Sequence, residues 1–327
     1  MKRLFRYLLI IVLIFTVTIA AIASYLAFFL PNVGPAPGLE IEITEERIER
    51  GKYLANHVML CMECHAVRDF SLFAGPPIPE TLGAGGTVFD QKLGLPGSFV
   101  SENLTPYKME SWTDGELYRA IVSGVSKDGR ALFPIMPYPN FAQVDEEDIY
   151  AVIAYLRTLE PIAADHPSSK ADFPMSLIMN TIPAAPSHQP RPNKSELIDY
   201  GRYLVTAGVC NDCHTRIERG EFVGELYAGG NEFPMPDGSV VRAANITPHA
   251  TGIGNWTEEQ FVTRFKIYAD TSYVPRTVQP GEFQTIMPWS KYAGMAIEDL
   301  QAIFAYLQSL PPVDNRVEIF SPAKDIN

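Results

Sequence analysis

Cysteine is scarce, at four residues in a chain of 327, too few for a small disulfide-stapled scaffold. Basic side chains are also short in supply. The 26 Lys and Arg face 38 Asp and Glu, a net charge of −12. That balance repels a phosphate backbone and excludes nucleic acid as a partner. Wholesale disorder is excluded too, because 46% of the residues are hydrophobic and can bury real cores. The length allows two domains.

Charge is missing altogether from Leu8 to Leu30, directly after Lys2, Arg3 and Arg6. As a helix this run is about 35 Å long, enough to cross a hydrocarbon core of roughly 30 Å. No face of it is polar, unlike a core helix. The basic flank keeps the N-terminus cytoplasmic and places the rest outside. Ala21-Ile22-Ala23 offers a small-residue cleavage site, so a signal peptide is the rival reading. Because the apolar run continues through Tyr25 to Leu30, we expect an uncleaved anchor. Pro31, Pro35 and Pro37, with Gly34 and Gly38, then form a short tether.

The remainder repeats itself at an offset of about 150 residues, so the chain is a duplication and not a short-period solenoid. Gly51-Lys-Tyr-Leu54 returns as Gly201-Arg-Tyr-Leu204, and Cys61-Met-Glu-Cys64-His65 as Cys210-Asn-Asp-Cys213-His214. Ala84-Gly85-Gly86, Asn103-Leu-Thr-Pro106 and Trp112-Thr113 match Ala228-Gly229-Gly230, Asn245-Ile-Thr-Pro248 and Trp256-Thr257. Ile135-Met136-Pro137 and Ala154-Tyr155-Leu156 match Ile286-Met287-Pro288 and Ala305-Tyr306-Leu307. Each copy reads as helices joined by long loops. A leading helix follows Glu45 or Ser195. A middle helix opens on a capping box, Thr113-x-x-Glu116 or Thr257-x-x-Gln260. A closing helix carries Ile149, Val152, Ile153, Leu156 and Leu159, or Leu300, Ile303, Phe304, Leu307 and Leu310, at helical spacing. Pro161 and Pro311 stop the closing helices. Between the copies, residues 166–193 hold six prolines and read as a linker, with Phe173 and Leu177–Met179 expected to pack on a domain.

All four cysteines belong to the two Cys-x-x-Cys-His sequences, the attachment signature of c-type haem. Two thiols form thioethers with the porphyrin vinyl groups, and the adjacent His becomes the proximal iron ligand. Attachment outside the cytoplasm agrees with the export signal. A zinc site would need both half-sites to converge and has no use for a His after each pair. A redox dithiol has no use for that His either, and a disulfide closing so short a loop gains little.

A distal ligand should have a counterpart in both copies. Met136 and Met287 pass that filter. Met59, Met62, Met109, Met235 and Met295 have no matching Met and read as core or surface residues. His57, His166, His188 and His249 also lack a counterpart and read as exposed histidines without a haem role. His/Met ligation favours Fe(II) and raises the potential. It also fills both axial positions, which points to electron transfer over peroxide chemistry. Gly51 and Gly201 are placed to let the leading helix cross the closing one near Tyr155 and Tyr306. Two alternatives stay open for each remaining repeated residue: propionate contact or core packing for Trp112 and Trp256, and propionate contact or a loop turn for Asn103 and Asn245. Arg130, whose equivalent in copy two is Gly281, is a propionate contact in one domain only or a surface residue.

At these motifs both copies resemble class I cytochrome c domains. The run Asn245-Ile-Thr-Pro248, Thr251-Gly-Ile-Gly-Asn-Trp-Thr257 and Met287-Pro288 is similar to the cytochrome subunits of bacterial membrane-bound alcohol and sugar dehydrogenases. The resemblance covers about residues 45–160 and 195–312. It departs in having two haem motifs where such subunits commonly have three, and copy one lacks the Thr-Gly-Ile-Gly. It implies a mainly α fold, two covalent haems c and electron exchange with a quinone-linked or oxidase-linked chain.

The expected architecture is a transmembrane anchor (1–31), a tether (32–44), one cytochrome c domain (45–165), a Pro-rich linker (166–193) and a second cytochrome c domain (194–327). The expected cofactor-binding residues are Cys61, Cys64, His65 and Met136, then Cys210, Cys213, His214 and Met287, with no catalytic residue. The expected role is an electron carrier, on the outer face of a bacterial cytoplasmic membrane and held by lipid through the N-terminal helix. Its partners would be redox proteins: a membrane dehydrogenase, a quinol-oxidising complex or a terminal oxidase. The acidic surface suits Lys/Arg-bearing partners in transient encounters. A fixed cytochrome subunit of a membrane dehydrogenase or of a respiratory or photosynthetic complex, and a dihaem peroxidase or thiosulfate-type oxidoreductase, are the competing readings.

Overall fold

A computed structural model describes residues 2–270 and 272–323. It is mostly helical. The N-terminal helix runs Lys2–Phe28 and has no buried residue. Its last turns lean on the linker: Ala23, Leu26 and Leu30 are half-buried, and Asn180 Nδ2 donates to the Leu26 carbonyl at 3.0 Å. By length and composition this helix is either an anchor or a signal sequence.

Each copy then runs through the same helices in the same order. The leading helices are Glu45–Tyr53, continued as a π turn over Leu54–Val58, and Leu197–Ala207. The middle helices, Asp114–Ser123 and Glu258–Lys266, both open on a complete reciprocal capping box. The closing helices are Glu146–Leu156 and Ile297–Gln308. Their apolar stripes form the core: Ile149, Val152, Ile153, Leu300, Ile303 and Leu307 are all buried. Leading and closing helices cross with almost no gap in each copy. A Cβ at Gly51 would lie 1.8 Å from the Ala151 carbonyl oxygen and 2.9 Å from Tyr155 Cβ. One at Gly201 would lie 1.9 Å from the Ala302 oxygen and 2.8 Å from Tyr306 Cβ. Backbone cannot retreat as a side-chain tip can, so both helices would have to shift. Gly51→Ala and Gly201→Ala should each lower stability by about 3 kcal/mol, the upper end for overpacking. Chemical denaturation of the holoprotein measures it.

Among the described residues, three small antiparallel sheets add to the helical plan. Val88–Phe89, Gly97–Val100 and Lys170–Ala171 form one, Ile217–Glu218 and Glu221–Phe222 a second, and Glu232–Pro234, Val240–Arg242 and Phe320–Ser321 a third. In the first, Lys170–Ala171, within the segment expected as a Pro-rich linker, is a strand of copy one's sheet. His188 also packs into copy one, with Tyr118 at 2.6 Å and the Val144 carbonyl as partners. Of the residues expected to pack, Met179 is buried, whereas Phe173 is 81% exposed.

The two copies meet face to face. Tyr53 of copy one donates to Asp299 of copy two at 2.6 Å, and its repeat Tyr203 donates to Asp148, the repeat of Asp299, also at 2.6 Å. A contact of residue i with j, answered by j with i, is the mark of a two-fold interface. Here it arises inside one chain. Arg50 grips Asp148 with both ends of its fork at 2.9 and 2.6 Å, and Arg191 adds a third bond at 2.7 Å. Asp299 takes Lys194 at 3.1 Å and Tyr200 at 3.2 Å. Arg191 thus ties the linker to Asp148 of copy one, and Lys194, at the start of copy two, pairs with Asp299 of its own copy.

Candidate haem-attachment sites

Each Cys-x-x-Cys-His begins with a strained turn. Leu60 (φ 58°) and Val209 (φ 49°) take the left-handed conformation just before the first cysteine. Side chains of this kind adopt it at a cost, so its recurrence in both copies marks a position the surrounding fold enforces. The cysteines lie on the one-turn helices Cys61–Cys64 and Cys210–His214. No disulfide joins them. Burial pushes the Cys61 thiol up to about 12, Cys64 to about 11 and both Cys210 and Cys213 to about 12. A redox dithiol needs a depressed thiol pKa, so this setting opposes the thioredoxin-like alternative. Among the described residues no three His, Cys, Asp or Glu side chains converge to hold a metal ion.

The two histidines are held alike. His65 Nδ1 lies 2.7 Å from the Glu102 carbonyl, and His214 Nδ1 lies 2.7 Å from the Ala244 carbonyl. A carbonyl only accepts, so Nδ1 carries the proton and Nε2 keeps its lone pair. This is the tautomer a metal-ligating imidazole requires. Burial, partly opposed by that bond, lowers both histidine pKa values and favours the neutral ring. The residues present therefore fit a covalent haem at each motif.

The carbonyls are fixed from behind by Asn103 and Asn245. Each Oδ1 accepts from the backbone and hydroxyl of the Thr two residues on: 2.9 and 2.7 Å at Thr105, 2.9 and 2.8 Å at Thr247. Each Nδ2 donates to the extended segment after the closing helix, at Ile162 and Ala164 or at Val313 and Asn315. Both amides are thus committed to protein partners, and of the two roles open for these residues the structure selects the loop turn. Arg130 is 43% exposed and lies 3.8 Å from Glu102, a surface residue. Trp112 packs against the core, while Trp256 is 37% exposed.

Met136 and Met287 are half-buried against the same core from equivalent straps before Tyr138–Phe141 and Trp289–Tyr292. The histidines expected to be exposed are not. His57 docks on the other copy, its Nδ1 2.9 Å from the Lys291 carbonyl. His166 bonds the Ala84 carbonyl at 2.6 Å, and His249 bonds Thr251 at 2.9 Å. All three are half-buried, as is His188. They serve packing and hydrogen bonding inside the protein, a role that their lack of a repeat partner left invisible.

Both attachment helices face the interface between the copies. Asp212, inside the second motif, accepts from Asn140 of copy one at 2.8 Å. Glu63, inside the first, is 3% exposed and lies 2.9 Å from Arg68. Burial raises its pKa, opposed by the charges of Arg68 and of Lys291 from copy two. Lys291 is the repeat of Asn140, so the Asn140–Asp212 bond has a counterpart in the charge of Lys291 acting on Glu63. The Cys64 thiol is near enough to help raise Cys213.

No family model matches the sequence. The chain is nevertheless a distant homologue of cytochrome c subunits of dehydrogenases and of a dihaem cytochrome c. It is 29% identical over 286 residues to the cytochrome c subunit of the quinone alcohol dehydrogenase of Gluconobacter oxydans, covering 82% of this chain and 56% of that subunit. Against the gluconate 2-dehydrogenase cytochrome c subunit of Pantoea cypripedii it is 28% identical over 325 residues, 91% of this chain and 67% of the relative. It is 27% identical over 264 residues to a dihaem c-type cytochrome of Cereibacter sphaeroides, covering 78% of this chain and 83% of that protein. The chain thus spans about half the length of the alcohol dehydrogenase subunits it matches.

Proposed function

We propose that this chain is a membrane-tethered dihaem c-type cytochrome that passes electrons from a membrane dehydrogenase towards the respiratory chain. The observation that carries the reading is the duplicated Cys-x-x-Cys-His, each with its His turned by the same carbonyl bond at 2.7 Å. Cys61 and Cys64 would hold one haem and Cys210 and Cys213 the other. His65 with Met136, and His214 with Met287, would be the axial pairs. The bound haem supplies reversible one-electron chemistry, and the protein supplies orientation, burial and ligand field. His65 and His214 are held by Glu102 and Ala244 so that only Nε2 can ligate. Both attachment helices at one shared interface suit exchange of an electron between the copies. Lys2–Phe28 is the anchor, with both copies on the outer face. The relatives named as dehydrogenase subunits favour a fixed place in such a complex as a second reading.

Expression in a host competent in cytochrome maturation should give a red protein whose intact mass exceeds the polypeptide by two haems. Cys64→Ala with Cys61→Ala should remove one haem and leave the other. A colourless, unmodified chain would end the proposal. Co-purification with a dehydrogenase after mild detergent extraction distinguishes a fixed subunit from a free carrier.

A further inference from the structure

The strap that carries Met287 is not held by its own copy alone. Gln284, three residues earlier, is 5% exposed and uses its whole amide. Its Oε1 accepts from the Ala74 N–H at 2.8 Å and from the Thr285 N–H at 3.0 Å. Its Nε2 donates to the Phe70 carbonyl at 3.0 Å and the Leu72 carbonyl at 2.9 Å. Phe70, Leu72 and Ala74 belong to copy one, on the loop that leaves His65. Thr285 Oγ1 then accepts the Met287 N–H at 3.1 Å. The same loop pairs with the strand before the strap, where Phe73 N–H donates to the Arg276 carbonyl at 2.8 Å and Val278 N–H to the Ser71 carbonyl at 2.8 Å.

Copy one has no such support. The residue equivalent to Gln284 is Phe133, and Pro134 stands in place of Thr285. Phe133 stacks on Phe99 of its own copy with centroids 4.0 Å apart. The Met136 N–H donates to the Phe133 carbonyl at 3.2 Å. The loop of copy one is itself tied to the first haem motif. Arg68 lies 2.9 Å from Glu63 and donates to the Gly75 and Ala74 carbonyls at 2.7 and 2.8 Å. A continuous polar chain thus runs from Glu63 through Arg68 and Ala74 to Gln284, Thr285 and Met287.

We infer that Gln284 is a positioning residue through which copy one holds Met287 on the second iron, a link for which Met136 has no equivalent. This rests on the axial roles proposed above. A buried primary amide with four satisfied bonds fixes its surroundings, and removing it strands each partner. In Gln284→Leu, Ala74 N–H, Thr285 N–H and two carbonyls lose their partner together. The oxidised holoprotein of that variant should keep two haems by mass. Its methionine–iron band near the red end of the spectrum should fall to about half, because one of two thioether ligands is lost. One of the two midpoint potentials should drop and the other stay. Full amplitude with both potentials unchanged would overturn the inference alone. Absence of the band from the unsubstituted chain would overturn the axial assignment, and this inference with it. Thr285→Val is the milder second variant, losing only the hydroxyl that takes the Met287 N–H. Imidazole should displace the thioether from one iron at roughly five- to tenfold lower concentration, the effect of one lost neutral hydrogen bond. Unchanged displacement at both irons would count against the inference even if Gln284→Leu failed to fold.

Discussion

Met136→Ala and Met287→Ala should each abolish the methionine–iron band of one haem, and together they should abolish it entirely. The thioether is a soft, neutral ligand that stabilises Fe(II) over Fe(III). Its loss leaves the proximal nitrogen opposite water or a harder side chain, which favours the oxidised state. The potential of the affected haem should fall by on the order of a tenth or more of the roughly 0.8 V range that axial ligation commands. Redox titration with spectral deconvolution separates the two steps. The affected iron should also bind CO or cyanide quickly, which the unsubstituted protein should not. Rapid CO binding to the unsubstituted protein would instead favour the peroxidase-like reading, since that chemistry needs an open iron position. Unchanged spectra and potentials in both variants would remove the two methionines from the axial positions. Half-buried straps ahead of Tyr138 and Trp289 make the substitutions tolerable for folding. The test therefore reads ligation, not stability.

The features readable from sequence are those written in local periodicity or in the repeat itself. The closing helices follow from the spacing of Ile149 to Leu156 and Leu300 to Leu307. The capping boxes follow from Thr113 and Thr257 three residues before Glu116 and Gln260. The repeat of Gly51 as Gly201 beside Tyr155 and Tyr306 was enough to expect a close helix crossing, and a Cβ there would indeed strike backbone. What escaped was set by partners far away in the chain. Leu60 and Val209 carry no propensity for a left-handed backbone; the fold imposes it. The short strands hold two to four residues each and are too brief for an alternation pattern to register. Gln284 looks like any polar loop residue until the 69–76 loop, more than two hundred residues earlier, is laid against it. The interface left one unused trace. Asp148 and Asp299 are acidic residues repeated next to core positions Ile149 and Leu300, and a repeated carboxylate on a buried face demands a repeated partner. Tyr53 and Tyr203, inside the repeated Gly-x-Tyr-Leu, are those partners.

Removing the Asp148 carboxylate should therefore cost more than any other single change at the interface. Asp148 side chain is 2% exposed and bound by Arg50, itself only 20% exposed, by Arg191 and by Tyr203. Asp148→Ala leaves the Arg50 guanidinium mostly buried without a counter-charge, a loss of about 3 kcal/mol at the low end for a broken buried pair. Asp299→Ala should cost less, about 1–2 kcal/mol. Its cation Lys194 is 62% exposed and can turn to water, so chiefly two tyrosine hydroxyls lose their acceptor. The acid dependence follows from the same geometry. Burial pushes the Asp148 pKa up, but the hydrogen bond and charge of Arg50, then Tyr203 and Arg191, outweigh it and bring it below its ordinary 3.8. A carboxylate with a depressed folded pKa stabilises fully above its unfolded value near 4 and loses that contribution as pH falls through the folded one. Equilibrium denaturation as a function of pH should then show an acid-labile increment in the unsubstituted protein that is missing from Asp148→Ala. Equal acid sensitivity of the two proteins would place that increment elsewhere. Because both haem motifs face this interface, the same variant should also change the rate at which an electron, delivered to one copy by flash reduction, equilibrates with the other.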